Sequence, residues 1–199
     1  MSSLSQNIGQ AINDFDSIKR AIKDKGVTVG NVPTSEYAGK ISQIKTGDDE
    51  LVRGLIERNL TEIVIPNSVT SIGFNAFAQC PSLISITIPN TVISIGGYAF
   101  NSCANLTKVT ILSTETICAS TTFLNCTRLT DVTLVEGFNG TGLNLSWSPL
   151  TVDCMTNMFN ALADLTGQTA KTLTLGATNL AKLTAEQIQI ATAKNWNLA

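Results

Sequence analysis

Residues 60–128 read LTEIVIPNSVTSIGFNAFAQCPS, LISITIPNTVISIGGYAFNSCAN and LTKVTILSTETICASTTFLNCTR, three consecutive segments of 23 residues. A leucine opens each segment, and Leu129 follows the third segment at the same spacing. Self-similarity at a fixed period of this size indicates a repeat architecture, in which each unit covers the apolar face of its neighbour. The period therefore predicts a solenoid, with equivalent residues of successive units aligned in columns.

Each unit begins with a pattern typical of a half-buried strand. In the first two units it is Leu-x-x-Ile-x-Ile, and the alternation has the period of two that a strand requires. Pro66 and Pro89 follow, and they are expected to end the strands because proline donates no ladder hydrogen bond. Gly73 and Gly96, further along the units, are expected to permit a turn with positive φ.

Two more columns are expected inside the stack. An aromatic column is predicted from the phenylalanines that recur once per unit, Phe77, Phe100 and Phe123. A cysteine lies three residues after each of them, and these thiols are predicted to be buried structural groups at positions 80, 103 and 126. A zinc site is disfavoured because the chain has neither a Cys-x-x-Cys motif nor a histidine. A disulfide between neighbouring rungs stays an alternative, within tight geometric limits.

The pattern L-x-x-I-x-I-P…V-x-S-I-G…A-F…C resembles the BspA-like bacterial leucine-rich repeats over residues 60–134. The third unit departs from it, with Leu112, Cys118 and Ala119 in place of proline, isoleucine and glycine. The resemblance implies an α/β repeat fold, a leucine-rich repeat solenoid of 23-residue units, and a binding or adhesion role at a bacterial cell surface.

A second resemblance concerns the N-terminal part of the chain. The segment DFDSIKRAIKDKGVTVGNVPTSEYAGKISQI is similar to N-terminal segments of phage and prophage tail-associated proteins of Gram-positive bacteria. Residues 1–47 are predicted to form an N-terminal helical segment, either docked on the solenoid or separate from it. A helix is expected over residues 5–25, where apolar residues recur at spacings of three and four, and it is a candidate for oligomerisation.

Residues 48–199 are assigned to the solenoid. Its parts are a capping helix, the repeats and a helix-containing C-terminal cap module, at 48–59, 60–134 and 135–199. Within the cap module we expect a helix, a strand beside strand 132–134, and a last helix opened by a capping box, at 151–165, 172–175 and 184–194. Leu198 lies 23 residues beyond Leu175, which predicts one more rung. The two tryptophans, Trp147 and Trp196, are expected to be core plugs or rim contacts.

The end of the chain carries a third resemblance. The segment NALADLTGQTAKTLTLGATNLAKLTAEQIQIATAKNWNLA is similar to the end module of the same repeat proteins, so a complete natural terminus is expected.

Composition argues against several functional classes. The chain of 199 residues is 43% hydrophobic and 14% charged, which is typical of an ordered protein. Its net charge of −2 offers no electrostatic footprint for nucleic acid or an anionic membrane. No apolar run approaches the roughly 20 residues of a membrane span. No secretory signal is visible, so a virion-associated protein, or one cytoplasmic until release, is expected, with the cell surface as the alternative.

Neither catalysis nor a cofactor or metal is expected. The chain has no histidine, the commonest general base. A glycosidase needs two facing carboxylates, whereas Glu62 and Asp131 share a column but lie three rungs apart, about 14–15 Å at the spacing of strands. Gly96-Gly97 matches no phosphate-binding loop. The protein is therefore predicted not to be an enzyme.

The exposed face of the sheet is the candidate binding surface. Its residues occupy alternate strand positions: Glu62, Val64, Ser85, Thr87, Lys108, Thr110, Asp131, Thr133, Thr172 and Thr174. Threonine suits any exposed strand position, so a purely structural reason for these residues stays open. The functional interpretation is a neutral, hydroxyl-rich platform for a protein or cell-surface glycan, without the Trp, Tyr and Arg anchors of tight interfaces.

Two functions are predicted as alternatives. The first is non-catalytic binding or adhesion by a recognition module, displayed on a bacterial cell or on a phage tail. The second is a purely structural part of a virion or prophage tail, with no ligand on the repeat sheet. Oligomerisation through the helix predicted at 5–25, together with a sheet face that binds nothing, would favour the second.

Overall fold

The structure is a computed structural model that describes residues 61–65, 67 and 69–199. The helices predicted at 5–25 and 48–59 lie outside the described residues, and the division at residue 47 stays a prediction. For Glu62 and Val64 the structure describes the backbone alone.

The described elements are mostly short strands. They are β1 (Glu62–Val64), β2 (Ser71–Ile72), β3 (Ser85–Ile88), β4 (Ser94–Ile95), β5 (Lys108–Ile111), β6 (Ile117–Cys118), β7 (Asp131–Leu134), β8 (Lys171–Leu173) and β9 (Trp196–Leu198). The helices are α1 (Val152–Ala161), α2 (Ala177–Leu180) and α3 (Ala185–Thr192). Every described helix follows the repeats, so the described units consist of strands and turns rather than strands and helices.

Three small parallel sheets organise these strands. Sheet A has the order β1-β3-β5-β7, sheet B the order β2-β4-β6, and sheet C contains β8 and β9. Paired residues in sheets A and B are 23 positions apart in the sequence, as in the pairs Ser85↔Lys108 and Ile95↔Cys118. The period of the repeats therefore sets the register of both sheets. The predicted repeat fold is confirmed. The described residues nevertheless form small separate sheets with few helices rather than a closed α/β solenoid.

Columns of apolar side chains form the core of the repeats. The rings of Phe77, Phe100 and Phe123 stack with centroids 5.2 and 5.3 Å apart and interplanar angles of 13° and 6°. All three rings are buried, and burial of each such ring stabilises the fold by about 1.5–3 kcal/mol. The aromatic column predicted from the sequence is confirmed.

The cysteines form a second buried column. All five cysteines of the chain are buried thiols that form no disulfide. The thiol of Cys103 donates to the carbonyl oxygen of Phe77, and the thiol of Cys126 donates to that of Phe100, each at 3.1 Å. Each of these thiols therefore satisfies a backbone group of the preceding unit, which is the structural role predicted for this column.

The turn after β4 differs from the prediction. Gly96 does not have a positive φ. A Cβ atom at this position would lie 2.7 Å from the backbone nitrogen of Phe74, so glycine is required for the close approach of the neighbouring unit. Left-handed backbone lies instead two residues after the glycine positions, at Asn75 and Tyr98, both with φ of 58°. It also lies one residue before the cysteines of the column, at Gln79, Ser102 and Asn125, with φ of 55°, 57° and 59°.

After β7, helix α1 takes the position of the next strand. The amide of Thr151 donates to the carbonyl of Thr130 at 3.3 Å, just as the amide of Thr130 donates to the carbonyl of Thr107 one unit earlier. The Thr151 side chain then accepts a hydrogen bond from the amide of Cys154, which caps the helix. Helix α1 therefore covers the edge of sheet A, which would otherwise present unpaired backbone groups.

This arrangement corrects the prediction for residues 172–175. Strand β8 pairs with β9 and not with β7, because α1 already lies next to β7. Strand β9 does add a rung, but Leu198 pairs with Leu173 rather than with Leu175. The capping box of Thr184 and Gln187 is confirmed at the start of α3. No helix within the described part of the chain is long and apolar enough to cross a membrane.

Candidate functional site

The outer side of sheet A carries two aligned columns of polar side chains. We call them the sheet face: Ser85, Thr87, Lys108, Thr110, Asp131 and Thr133. Strand pairing places the first residue of β3, β5 and β7 in one column and the third residue in the other. The alignment predicted for these six residues is confirmed, whereas a binding role for them stays a prediction.

Alternation along the strands explains why these residues point away from the core. In β3, Ile86 and Ile88 are buried while Thr87 between them is exposed. In β7, Val132 is buried while Thr133 is exposed. Strands β3, β5 and β7 thus each hold a polar residue between two buried neighbours, and the backbone fixes its position.

One salt bridge crosses the sheet face. Nζ of Lys108 lies 3.2 Å from Oδ2 of Asp131, and the two side chains are 53% and 47% exposed. Because solvent screens the pair, it contributes only about 0–1 kcal/mol to stability. Its two charges cancel, and the other four residues of the sheet face carry hydroxyl groups. The sheet face is therefore electrically neutral and rich in hydroxyls.

The remaining predicted site residues separate into two groups. The backbone of Glu62 pairs with Ser85 and that of Val64 with Thr87, so both belong to the columns of sheet A. Thr172, in contrast, lies on β8 of sheet C, and Thr174 bridges to Asn144. The prediction that Thr172 and Thr174 extend the same surface is therefore wrong, because α1 separates sheet A from the later strands.

An open groove of about 350 Å³ lies where the strands of sheet A begin. We call it the edge groove, and its lining residues are Thr61, Ser82, Ile84, Asn105, Thr107 and Arg128. Sequence reasoning missed this site because it considered strand positions alone. The available signal was the 23-residue spacing of Ser82, Asn105 and Arg128, which places them in one column just before the strands.

Hydrogen bonds order the polar side of the edge groove. Nδ2 of the Asn105 side chain donates to the carbonyl of Pro81 at 2.7 Å, and Nη1 of Arg128 donates to Oδ1 of Asn105 at 2.8 Å. Oγ1 of Thr107 donates to the carbonyl of Ile84 at 3.2 Å. The side chain of Ile84 is 49% exposed, which gives the groove an apolar surface beside the guanidinium.

The C-terminal part resolves the alternatives for the two tryptophans. Trp196 is 2% exposed, and its Nε1 donates to the carbonyl of Ala163 at 2.9 Å, so it is a core residue. Trp147 is 54% exposed and lies on the surface. Nζ of Lys194 donates to the carbonyls of Asn160 and Leu162 at 2.6 and 2.8 Å, and so satisfies the C-terminal end of α1.

A buried amide ties helix α2 to the loop before α1. Nδ2 of Asn179 donates to the carbonyls of Ser148 and Leu175 at 2.8 and 2.9 Å. Nζ of Lys182 donates to Oδ1 of the same asparagine and to the carbonyl of Leu150, both at 2.9 Å. The polar groups of Asn179 and Lys182 thus bond to other groups of the protein, which indicates a structural role for both residues.

The chemistry of the thiols is that of core groups. Burial raises the pKa of Cys118 and of Cys126 to about 12. The pKa of Cys103 is also raised, by a hydrogen bond with Cys80 and by burial. A thiol protonated at neutral pH is a poor nucleophile and a poor metal ligand. In the described ranges, no group of three or more His, Cys, Asp or Glu residues could hold a metal ion.

Comparison with known proteins identifies the repeats. Residues 56–145 match the family model of the BspA type leucine rich repeat region, with six copies. This match confirms the BspA-like resemblance for this part of the chain. Neither curated proteins nor solved structures give a significant match. The resemblance of the N-terminal segment to phage tail proteins gains no support from these comparisons and stays a prediction.

Proposed function

We propose that this protein is a non-catalytic binding scaffold whose sheet face recognises a protein or glycan partner. The observation that carries the proposal is the pair of aligned polar columns, with four hydroxyl side chains and one ion pair, on a sheet whose opposite side is buried. The family match supports a protein-binding or adhesion role. Repeats of this type are also generally non-enzymatic.

The sheet face is well suited to bind without reorganisation. Neighbouring strands lie about 4.8 Å apart, so the hydroxyl groups of Thr87, Thr110 and Thr133 form a regular row. Threonine is β-branched and stiff at χ1, so little side-chain entropy is lost when a partner orders it. Each hydroxyl can both donate and accept a hydrogen bond, which matches the hydroxyl and amide groups of glycans and peptides.

The composition of the sheet face also limits its affinity. None of its six residues is aromatic, and its two charges neutralise each other. Interface hot spots are usually Trp, Tyr or Arg, so we expect each copy of the sheet face to bind weakly. Display in several copies would raise the avidity without any new contact. The oligomerisation predicted for residues 5–25 would serve this purpose.

The test is binding of the full chain to whole bacterial cells and to a glycan array. The double variant Thr87→Arg/Thr110→Arg places two bulky charges on the sheet face and is expected to weaken binding by at least tenfold. The matched control, Thr114→Arg/Thr169→Arg, changes two threonines that are exposed elsewhere, and its binding should equal that of the unmodified protein. Equal binding by both double variants would show that the sheet face is not the binding surface.

The structural alternative makes a different prediction for the same experiment. If the protein is a passive part of a virion or prophage tail, the unmodified chain binds neither cells nor glycans. Deletion of residues 5–25 would then abolish its self-association. The phage setting itself stays a prediction from the N-terminal resemblance.

A further inference from the structure

The edge groove contains a guanidinium group with no acidic partner among the described residues. Nη1 of Arg128 donates to the neutral amide oxygen of Asn105, and no carboxylate in the described ranges forms a salt bridge with it. A guanidinium carries five N–H donors in a planar fork. Several donors of Arg128 are therefore available to a ligand.

This guanidinium is also held in position before any ligand arrives. Asn105 bonds with its amide nitrogen to the carbonyl of Pro81 and with its amide oxygen to Arg128, so one asparagine links the side chain to the backbone of the preceding unit. A free arginine side chain loses rotamer entropy when it binds a ligand. Part of that loss has already occurred here, which favours binding.

The edge groove also has an apolar lining residue. Ile84 is 49% exposed beside the hydroxyl groups of Ser82 and Thr107. The groove volume of about 350 Å³ is at the lower end of the range for ligand sites, and it suits roughly two or three residues of an extended chain. A ligand that contacts both Arg128 and Ile84 favourably combines an anionic group with an apolar group.

We infer that the edge groove binds a short acidic peptide segment. Its carboxylate pairs with the guanidinium of Arg128, and the adjacent apolar side chain packs against Ile84. A carboxylate matches the planar fork of arginine in a bidentate geometry. A sulfated glycan or a nucleic acid is disfavoured because such polyanions are bound by several cations. Here Lys108, at the start of β5, is already paired with Asp131.

This inference goes beyond the proposed function because it concerns a different surface and a different partner. The probe is an array of heptapeptides, each with one Asp or Glu beside a Leu, Ile or Val, paired with the same peptide carrying Asn or Gln instead. The full chain is expected to prefer the acidic member by about two- to fivefold, the range of a solvent-exposed charge pair.

Three variants assign the preference to the groove. Arg128→Gln is expected to abolish it, while Arg128→Lys should retain part of it, because lysine keeps the charge but loses the fork. The matched control Lys108→Gln removes a positive charge from the neighbouring sheet face and should leave the preference unchanged. Arg128 is exposed, so its substitution should leave the melting temperature nearly unaltered, which excludes unfolding as the cause.

Three results would overturn the inference. The first is equal binding of acidic peptides and their amide counterparts, and the second is an acidic preference that survives Arg128→Gln. The third is binding of dextran sulfate without binding of the acidic peptides. The outcome is independent of the proposed function, since Thr87→Arg/Thr110→Arg should lose cell or glycan binding while it keeps the peptide preference.

Discussion

The repeats and the C-terminal module of this chain are stabilised in different ways. In the repeats, like residues stack on like: Phe100 lies between two other phenylalanines, and the thiols of Cys103 and Cys126 each bond to the preceding unit. In the module, single polar side chains such as Asn179 and Lys194 join segments that have no sequence in common. A periodic region therefore distributes its stability over columns, whereas the module concentrates it in individual residues.

The largest expected effect is on the aromatic column. Phe100→Ala removes a fully buried ring that two neighbouring rings contact, and we expect a loss of about 3–5 kcal/mol in the free energy of unfolding. Denaturant unfolding measures this loss. Phe74→Ala is the matched control, since that ring is 60% exposed and should cost less than about 1 kcal/mol. Similar losses for both variants would mean that the column is not where the repeats store their stability.

A single amide in the module should matter almost as much as that ring. Asn179→Ala leaves the buried carbonyl of Leu175 without a donor and removes one of the two donors to the carbonyl of Ser148, so we expect a loss of about 2–3 kcal/mol. The control is Asn160→Ala, because that side chain is exposed on α1. A loss below about 0.5 kcal/mol for Asn179→Ala would contradict the idea that the module depends on individual polar residues.

The buried thiols make the stability of the repeats depend on pH. Burial raises the pKa of Cys118 in the folded state to about 12, against about 8.5 in an unfolded chain. Below pH 8.5 both states hold the proton and stability is complete. At higher pH the unfolded state loses the proton first, so stability falls until the pH reaches the folded pKa.

The size of this effect can be measured with one variant. At pH 10 the thiol of Cys118 should lower the free energy of unfolding by about 2 kcal/mol relative to pH 7. Cys118→Ala lacks this term, so its stability should decrease less than that of the unmodified protein over the same interval. Other groups titrate equally in both proteins and cancel in the comparison. Parallel pH profiles would show that Cys118 is not protected by burial.

The same contrast explains what could be predicted from the sequence. The register of sheet A, the aromatic column and the buried thiols were predictable, because a repeat records its own neighbours: a residue packs against the residue 23 positions away. The place of β8 was not, because helix α1 occupies the next strand position, and only tertiary packing determines that exchange. Asn179 was equally invisible, since a single asparagine in a polar segment carries no pattern.

The candidate sites divide along the same line. The sheet face was predictable in its repeat part, where alternation and period act together, and was mispredicted at Thr172 and Thr174, which lie beyond the repeats. The residues of the edge groove also recur at the 23-residue period, but they lie just before the strands, where the alternation pattern does not apply. Its polar character arises from the chain of contacts between Asn105 and Arg128, which becomes apparent only when neighbouring units are placed side by side.

The smallest effect tests whether positions in the repeats are interchangeable. Gln79 and Asn125 occupy equivalent positions, both exposed, with φ of 55° and 59°. Asparagine tolerates this left-handed backbone better than glutamine does, because its short side chain can bond locally. Gln79→Asn should therefore raise the free energy of unfolding by about 0.5 kcal/mol, and Asn125→Gln should lower it by a similar amount. Thermal melting of the two variants measures both shifts. Opposite shifts of equal size would show that a residue keeps its energetic role when it moves two units along the stack, whereas two neutral substitutions would show that each unit sets its own backbone preference.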